Sequence, residues 1–370
     1  MPRGGPTVGV EEEFLIVDPL TRQPVPLGAT VASTVRAARA VRGGDLEVQL
    51  ELSTAQVETA TGVCADLLEL REQLTRGRRQ LADAADAAGG RLLAAGVPPL
   101  GDPPDTTAAT PRYREMTRRY GALATGNGLC GCHVHVGVPS TGIAVQVSNF
   151  VRPWLPVLST VTANSAVFHG ADTGYASWRT LLWSSWPLAG PPPYFRSERH
   201  YHALVDELIR SGVIMDAGMI YWYVRPSAHV PTVEVRIGDV AATVEDAVLL
   251  AGLTRALVTT ALTQIDEGRP APAVASELLR AACWQAALGG PGGRGVDAMR
   301  GGPASGWEMI DRLVSHVRPA LAACGDDGVV DALVRQLRAR GCGADRQRAD
   351  YGRTGDALLT VDAAVERTRE

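Results

Sequence analysis

Carboxylates two residues apart recur along this chain. In the stretch GVEEEFLIVDP, residues 9–19, Glu11 and Glu13 flank Glu12 and precede Phe14, Leu15, Ile16 and Val17. Read as a β-strand, the segment puts Glu11 and Glu13 on one face and Glu12 on the other. In EVQLELSTAQVE, Glu47, Gln49 and Glu51 alternate with Val48, Leu50 and Leu52, and Glu58 follows. CHVHV places His133 and His135 on one face, and VEVRIGD does the same for Glu234 and Arg236. A carboxylate among apolar residues is costly to bury without a partner. Clustered carboxylates repel unless a cation lies between them, so a divalent metal is the simplest common purpose. Oxygen-rich ligation with one imidazole suits Mg²⁺ or Mn²⁺ better than Zn²⁺. The competing reading makes each face the wet side of a sheet. It weakens with repetition, because four strands concentrate Glu, His and Arg instead of mixing Lys, Thr, Ser and acids.

Other reactive residues carry blander accounts. Cys130 and Cys132 flank Gly131 just before His133, but no CxxC is present, and buried thiols in a packed strand explain them better than a nucleophile or zinc site. His169, His200, His202 and His229 are isolated and suit hydrogen bonding at the surface or in the core. Trp178, Trp183 and Trp186 could stack an adenine, although anchoring a loop to the core is the commoner use. The cluster GGPGGRG follows no strand, so a dinucleotide fingerprint is disfavoured.

Composition narrows the chemistry further. The 36 basic residues are all arginine. Without lysine, a P-loop, a protein kinase site or a Schiff-base mechanism cannot operate, and phosphates must be met by arginine, metal or backbone amides. A net charge of −4 with no basic block gives no reason to expect nucleic acid. The chain shows neither a signal-peptide pattern nor an uninterrupted apolar run of about 18 residues, so the expectation is a cytoplasmic protein without membrane contact. Six scattered cysteines form no disulfide framework.

These side chains need strands to hold them. Strand-like segments are TVGVEEEFLIV, DLEVQLELSTAQVETAT, RLLAAGV, CGCHVHVGV and TVEVRIGDV. Helices are predicted from Cys64 to Ala88, Ile143 to Ala163, Glu198 to Ser211 and Thr243 to Glu267. Residues 170–195 read as an ordered loop, and the part from about residue 273 as mostly helical with Gly-rich breaks. Strands separated by long helices, without a βαβ rhythm, predict an α+β fold around an antiparallel sheet.

The motifs GVEEEFLIVDP, ELSTAQVET, GCHVHVGV, ANSAVFHGADTGYASWRT, YWYVRPSAHVPTVEVRIGD and GCGADRQR, in this order, resemble the glutamate–cysteine ligase type 2 family of carboxylate–amine ligases. The resemblance spans nearly the whole chain and implies one domain over residues 1–370. Its implied fold is glutamine-synthetase-like: a curved antiparallel sheet forms a bowl, flanked by helices, whose inner face binds ATP, Mg²⁺ and the acid. The implied activity activates a carboxylate as an acyl phosphate and passes it to an amine; related enzymes are often homo-oligomers. By position, Glu11, Glu13, Glu51, Glu58, His133 and Glu234 match metal ligands. Arg236 matches an arginine that meets the transferring phosphoryl group, and Arg236 and Glu58 stand as the catalytic pair. Arg225 and Arg179 are further candidates for binding nucleotide or a substrate carboxylate. The chain departs from the family pattern at Tyr223, where Asp is usual, and at Cys283, Gln285 and Leu288, where relatives carry basic residues. Those departures keep open a specialised substrate, a metal-dependent hydrolase or transferase that dispenses with ATP, and a non-catalytic binding protein.

Overall fold

The alternation in Val8–Val17 decides which way the chain faces: Val8, Val10, Glu12 and Phe14 point to one side, and Gly9, Glu11, Glu13 and Leu15 to the other. A computed structural model describes residues 4–42, 46–104, 110–125 and 128–370. Its strands, in chain order, are β1 (Val8–Val17), β2 (Glu47–Leu50), β3 (Gln56–Ala60), β4 (Arg91–Leu93), β5 (Gly131–Gly137), β6 (Val167–Phe168), β7 (Ala171–Asp172), β8 (Val224–Pro226), β9 (Thr232–Asp239), β10 (Arg294–Val296) and β11 (Pro303–Ser305). Seven of them form an antiparallel sheet in the order β2-β3-β1-β5-β9-β8, with β4 added beside β1. Two small hairpins, β6-β7 and β10-β11, stand apart.

Register turns the alternation into two chemically distinct faces. Val10 pairs with Val134, and Val134 with Val235, so the apolar positions of β1, β5 and β9 line up. They are fully buried in one core cluster with Leu67 and Leu70 of the helix Leu67–Ala87, Val147 of Thr141–Val151, and Leu250 and Leu257 of Val244–Asp266. The helix Val244–Asp266 is long and apolar enough to cross a membrane by composition, but 78% of its apolar window is buried inside the protein. Glu12 shares this covered face. Both its carboxylate oxygens accept from Arg78 of Leu67–Ala87, at 3.0 and 2.5 Å, and neither side chain is more than 1% exposed.

The predicted α+β class holds, with differences of detail that have physical causes. The segment expected as one strand over DLEVQLELSTAQVETAT is a hairpin of β2 and β3, reversed through Thr54 and Ala55, and Asp45 at its head lies outside the described residues. The helix expected from Ile143 to Ala163 breaks at Arg152–Trp154, where Pro153 and Pro156 withhold amide donors. RLLAAGV pairs only over β4. The loop over residues 170–195 contains β7 and a short helix, Trp178–Trp183, capped by Ser177. The Gly-rich breaks in the C-terminal part flank the hairpin β10-β11.

Candidate active site

The other face of the sheet gathers the titratable groups. Glu13 pairs with Glu58 across β1 and β3, Glu11 with His133 across β1 and β5, His135 with Glu234 across β5 and β9, and Glu234 with Arg225 across β9 and β8. Glu51, just beyond β2, joins them. Three overlapping sets bring oxygen or imidazole nitrogen atoms within 4.8 Å of one another: Glu13, Glu51 and Glu58; Glu11, Glu58 and His133; and Glu11, His135 and Glu234. Every residue expected as a metal ligand stands in one of these sets. His135, which the strand periodicity placed on this face, is an addition to them.

Individual contacts fix the arrangement. His133 Nδ1 lies 3.1 Å from Glu11 and its Nε2 3.7 Å from Glu13, while His135 Nε2 lies 3.3 Å from Glu11 and 3.9 Å from Glu234. The Gly131 amide donates to Glu13 at 2.6 Å. Glu234 is clamped between Arg236, in direct ion-pair contact, and Arg225 at 2.8 Å. Arg225 also donates to the carbonyls of Ile220 and Gly218, so it fastens Glu234 to the β8 approach.

Electrostatics divide the acids into two groups. Burial pushes Glu58 well above the usual carboxylate range, and the charges of Glu51, Glu11 and Glu13 push it further. Glu13 is also raised by burial, partly offset by His133. Burial would raise Glu11 and Glu234 too, but the two histidines hold Glu11 low, and Arg236 and Arg225 hold Glu234 low. Burial and Arg236 lower His133, leaving a neutral imidazole, the form that ligates metal. The buried Nε2 of His133 has no hydrogen-bond partner among the described residues. Crowded carboxylates beside an unpartnered imidazole nitrogen form a donor set that fits a hard divalent cation.

Arg179 reaches the same face from the helix Trp178–Trp183. It is buried at 3% exposure, donates to the Gly238 carbonyl at 3.0 Å, and keeps an unpartnered Nε. Glycine at 131 leaves the room the guanidinium takes, since a Cβ there would sit 2.4 Å from it and force Arg179 to shift. Asp239 organises the surroundings, accepting from Ser165 at 2.6 Å, Ser177 at 2.8 Å and the Asn164 amide at 2.9 Å, while Ser165 accepts from the Arg179 amide. Gln347, in the late GCGADRQR motif, bonds Asn164 and the amides of Ala166 and Val167. Two motifs far apart in sequence are therefore one network.

The departures from the family pattern lie beside this network. Tyr223 and Cys283 are buried in the main core cluster, and the Arg236 amide donates to the Tyr223 carbonyl. Gln285 is half-buried and bonds the Arg294 carbonyl of β10; the Leu288 carbonyl accepts from Ala176. Cys130 and Cys132 are fully buried, and burial raises both thiols well above their usual range, as packed thiols should behave. A cavity of about 180 Å³ opens beside Glu13, Glu51 and Arg236. Trp183, Trp186 and Tyr221 wall it, whereas Trp178 packs on Phe168 and Tyr175. Sequence patterns gave no sign of Tyr113, Met116 and Tyr221 as cavity residues, because they come from a helix and a loop outside the alternating strands.

Comparison with known proteins agrees with this geometry. A Mycolicibacterium vanbaalenii protein provisionally named glutamate–cysteine ligase 2-2 is 50% identical over 99% of this chain and 98% of its own length. A Nocardia farcinica protein provisionally named glutamate–cysteine ligase 2-1 is 48% identical over 96% of this chain and 91% of its own. At 13% identity, the structure of a Francisella tularensis glutamate–cysteine ligase in complex with AMP shares the fold with a TM-score of 0.68, over 99% of this chain and 89% of that one. A bifunctional glutathione synthetase from Pasteurella multocida, 12% identical, gives 0.66 over 98% of this chain and 52% of that one. The relatives make the chain an ATP-dependent carboxylate–amine ligase, and its α+β fold around an antiparallel sheet is the one shared with the Francisella enzyme. Within that class, the chain belongs to glutamate–cysteine ligase family 2, whose description matches residues 7–361.

Proposed function

We propose that residues 1–370 act as one cytoplasmic catalytic unit that forms a γ-glutamyl or similar amide, with Mg²⁺ or Mn²⁺ held by Glu11, Glu13, Glu51, Glu58, His133, His135 and Glu234. The observation that carries this reading is the convergence of three overlapping ligand sets on one partly buried sheet face. A bound divalent ion supplies charge neutralisation for the phosphoryl oxygens. The protein's own side chains do the rest. An oxygen of the substrate carboxylate attacks the γ-phosphorus of ATP, ADP leaves, and the amine nitrogen then displaces phosphate from the acyl carbon. Arg236, raised still further in proton affinity beside Glu234, stays cationic and faces the charge that spreads during transfer. Glu58 belongs to two of the sets, which puts its carboxylate beside the place where the incoming ammonium sheds its proton and makes it the group to receive that proton. Arg179, with a buried free Nε, is placed to bind a substrate carboxylate or phosphate, and Arg225 keeps Glu234 in position.

Glutamate and cysteine are the pair that the family name provides. Incubating the chain with ATP, Mg²⁺ and panels of acids and amines, while recording ADP and product masses, tests the reading. Amide product formed with stoichiometric ADP is expected. Turnover with metal alone and no ADP would place the chemistry in a hydrolase or transferase instead.

A further inference from the structure

The cavity beside Glu13 and Glu51 has walls that a small polar substrate does not need. Leu52, Met116, Leu129, Trp183, Trp186 and Tyr221 surround it. The three aromatic rings are fixed against one another, with centroids 4.8 Å apart for Trp183 and Tyr221, 5.6 Å for Trp186 and Tyr221, and 6.2 Å for Trp183 and Trp186. Trp186 and Tyr221 are buried at 4% and 9% exposure, so this wall exists before any ligand arrives.

We propose that the amine substrate of this site carries an aromatic ring, which seats against Trp183, Trp186 and Tyr221 and directs its nitrogen toward the metal-bearing edge of the cavity at Glu13 and Glu51, where the acyl phosphate forms. The inference rests on the ligase reading and narrows its substrate. An apolar cavity of about 150 Å³ holds a benzene-sized molecule, and this one measures about 180 Å³. A ring seated there gains edge-to-face or offset contact with the wall in addition to the area it buries. The cysteine side chain is too small to cover the rings, so most of the burial energy they offer would be lost. An adenine does not fit the same description. Its ribose and three phosphates would have to lie between the ring and the acids, whereas here the rings and the acids share one small space.

Calorimetric titration of the full chain with phenethylamine and with ethylamine tests this directly. Phenethylamine should bind at least about tenfold more tightly, AMP should not displace it, and Trp183→Ala should erase the difference. Equal affinities, or displacement by AMP, overturn the inference. Turnover with ATP, Mg²⁺ and a panel of acids separates it from the broader reading. ADP release with cysteine but with no aromatic amine overturns the inference and leaves the ligase intact. No ADP with any amine, alongside tighter phenethylamine binding, overturns the ligase reading and leaves the preference of the cavity standing.

Discussion

Glu13 lies directly opposite Glu58 across β1 and β3, and Glu51 brings a third carboxylate within 4.8 Å of both. Like charges placed so oppose folding. The folded-state pKa of Glu58 is raised above its ordinary value of 4.5. Its contribution to stability is therefore complete below that ordinary value and is lost as pH rises through the shifted one. The metal-free protein should lose melting temperature as pH climbs above that ordinary range, and Mg²⁺ should restore it. Glu58→Gln should flatten this decline and leave the metal-free protein more stable at pH 8 by about 1 kcal/mol. Urea unfolding across pH, with and without chelator, measures both effects; a variant less stable than the parent at pH 8 contradicts them.

Glu12 meets a different environment although it lies between two members of the cluster. Its carboxylate is neutralised by Arg78 under the sheet. Removing one partner of a buried pair leaves the other charge stranded, so Glu12→Gln should cost about 3–5 kcal/mol. Denaturant titration gives the value, and a Glu12→Gln protein as stable as the parent would contradict the assignment.

Arg236→Ala should lower kcat by about 10²–10³-fold, as expected when a buried donor to a developing anion is removed. Glu234 would still be held by Arg225, so the melting temperature should fall only modestly. Single-turnover kinetics beside thermal unfolding separate the two effects, and an unchanged kcat would refute the role.

Gln347→Ala should destabilise the protein by about 1–3 kcal/mol, because the amides of Ala166 and Val167 lose their acceptor in a buried setting. Through Asn164, Ser165 and Asp239 the same change should loosen Arg179, raising KM for acid or ATP less than Arg179→Ala does. A loss of stability with KM untouched would confine Gln347 to a structural role.

Much of the sheet was legible because period-two alternation is a local signal. It separated Glu12 from Glu11 and Glu13, and it placed His133 with His135 and Glu234 with Arg236, on the faces that they occupy. The β2-β3 reversal was not legible, since the ELSTAQVE stretch alternates on both sides of a turn that carries neither Gly nor Pro. Arg225 and Gln347 were opaque for another reason. Their partners lie on other segments, and only tertiary register reveals that the first clamps Glu234 and the second braces Asn164. Trp183 and Trp186 were visible as a possible stacking pair, but Tyr221 and Tyr113 were not, because only the fold brings those rings to the same cavity.

The most direct test is Mn²⁺ binding followed by electron paramagnetic resonance, comparing the parent chain with Glu13→Gln, Glu58→Gln and Glu234→Gln. More than one Mn²⁺ per parent chain is predicted, with affinity falling at least about tenfold in each folded variant. Absence of Mn²⁺ binding by the parent, or undiminished binding by all three variants, would contradict the claim that this sheet face is a metal centre.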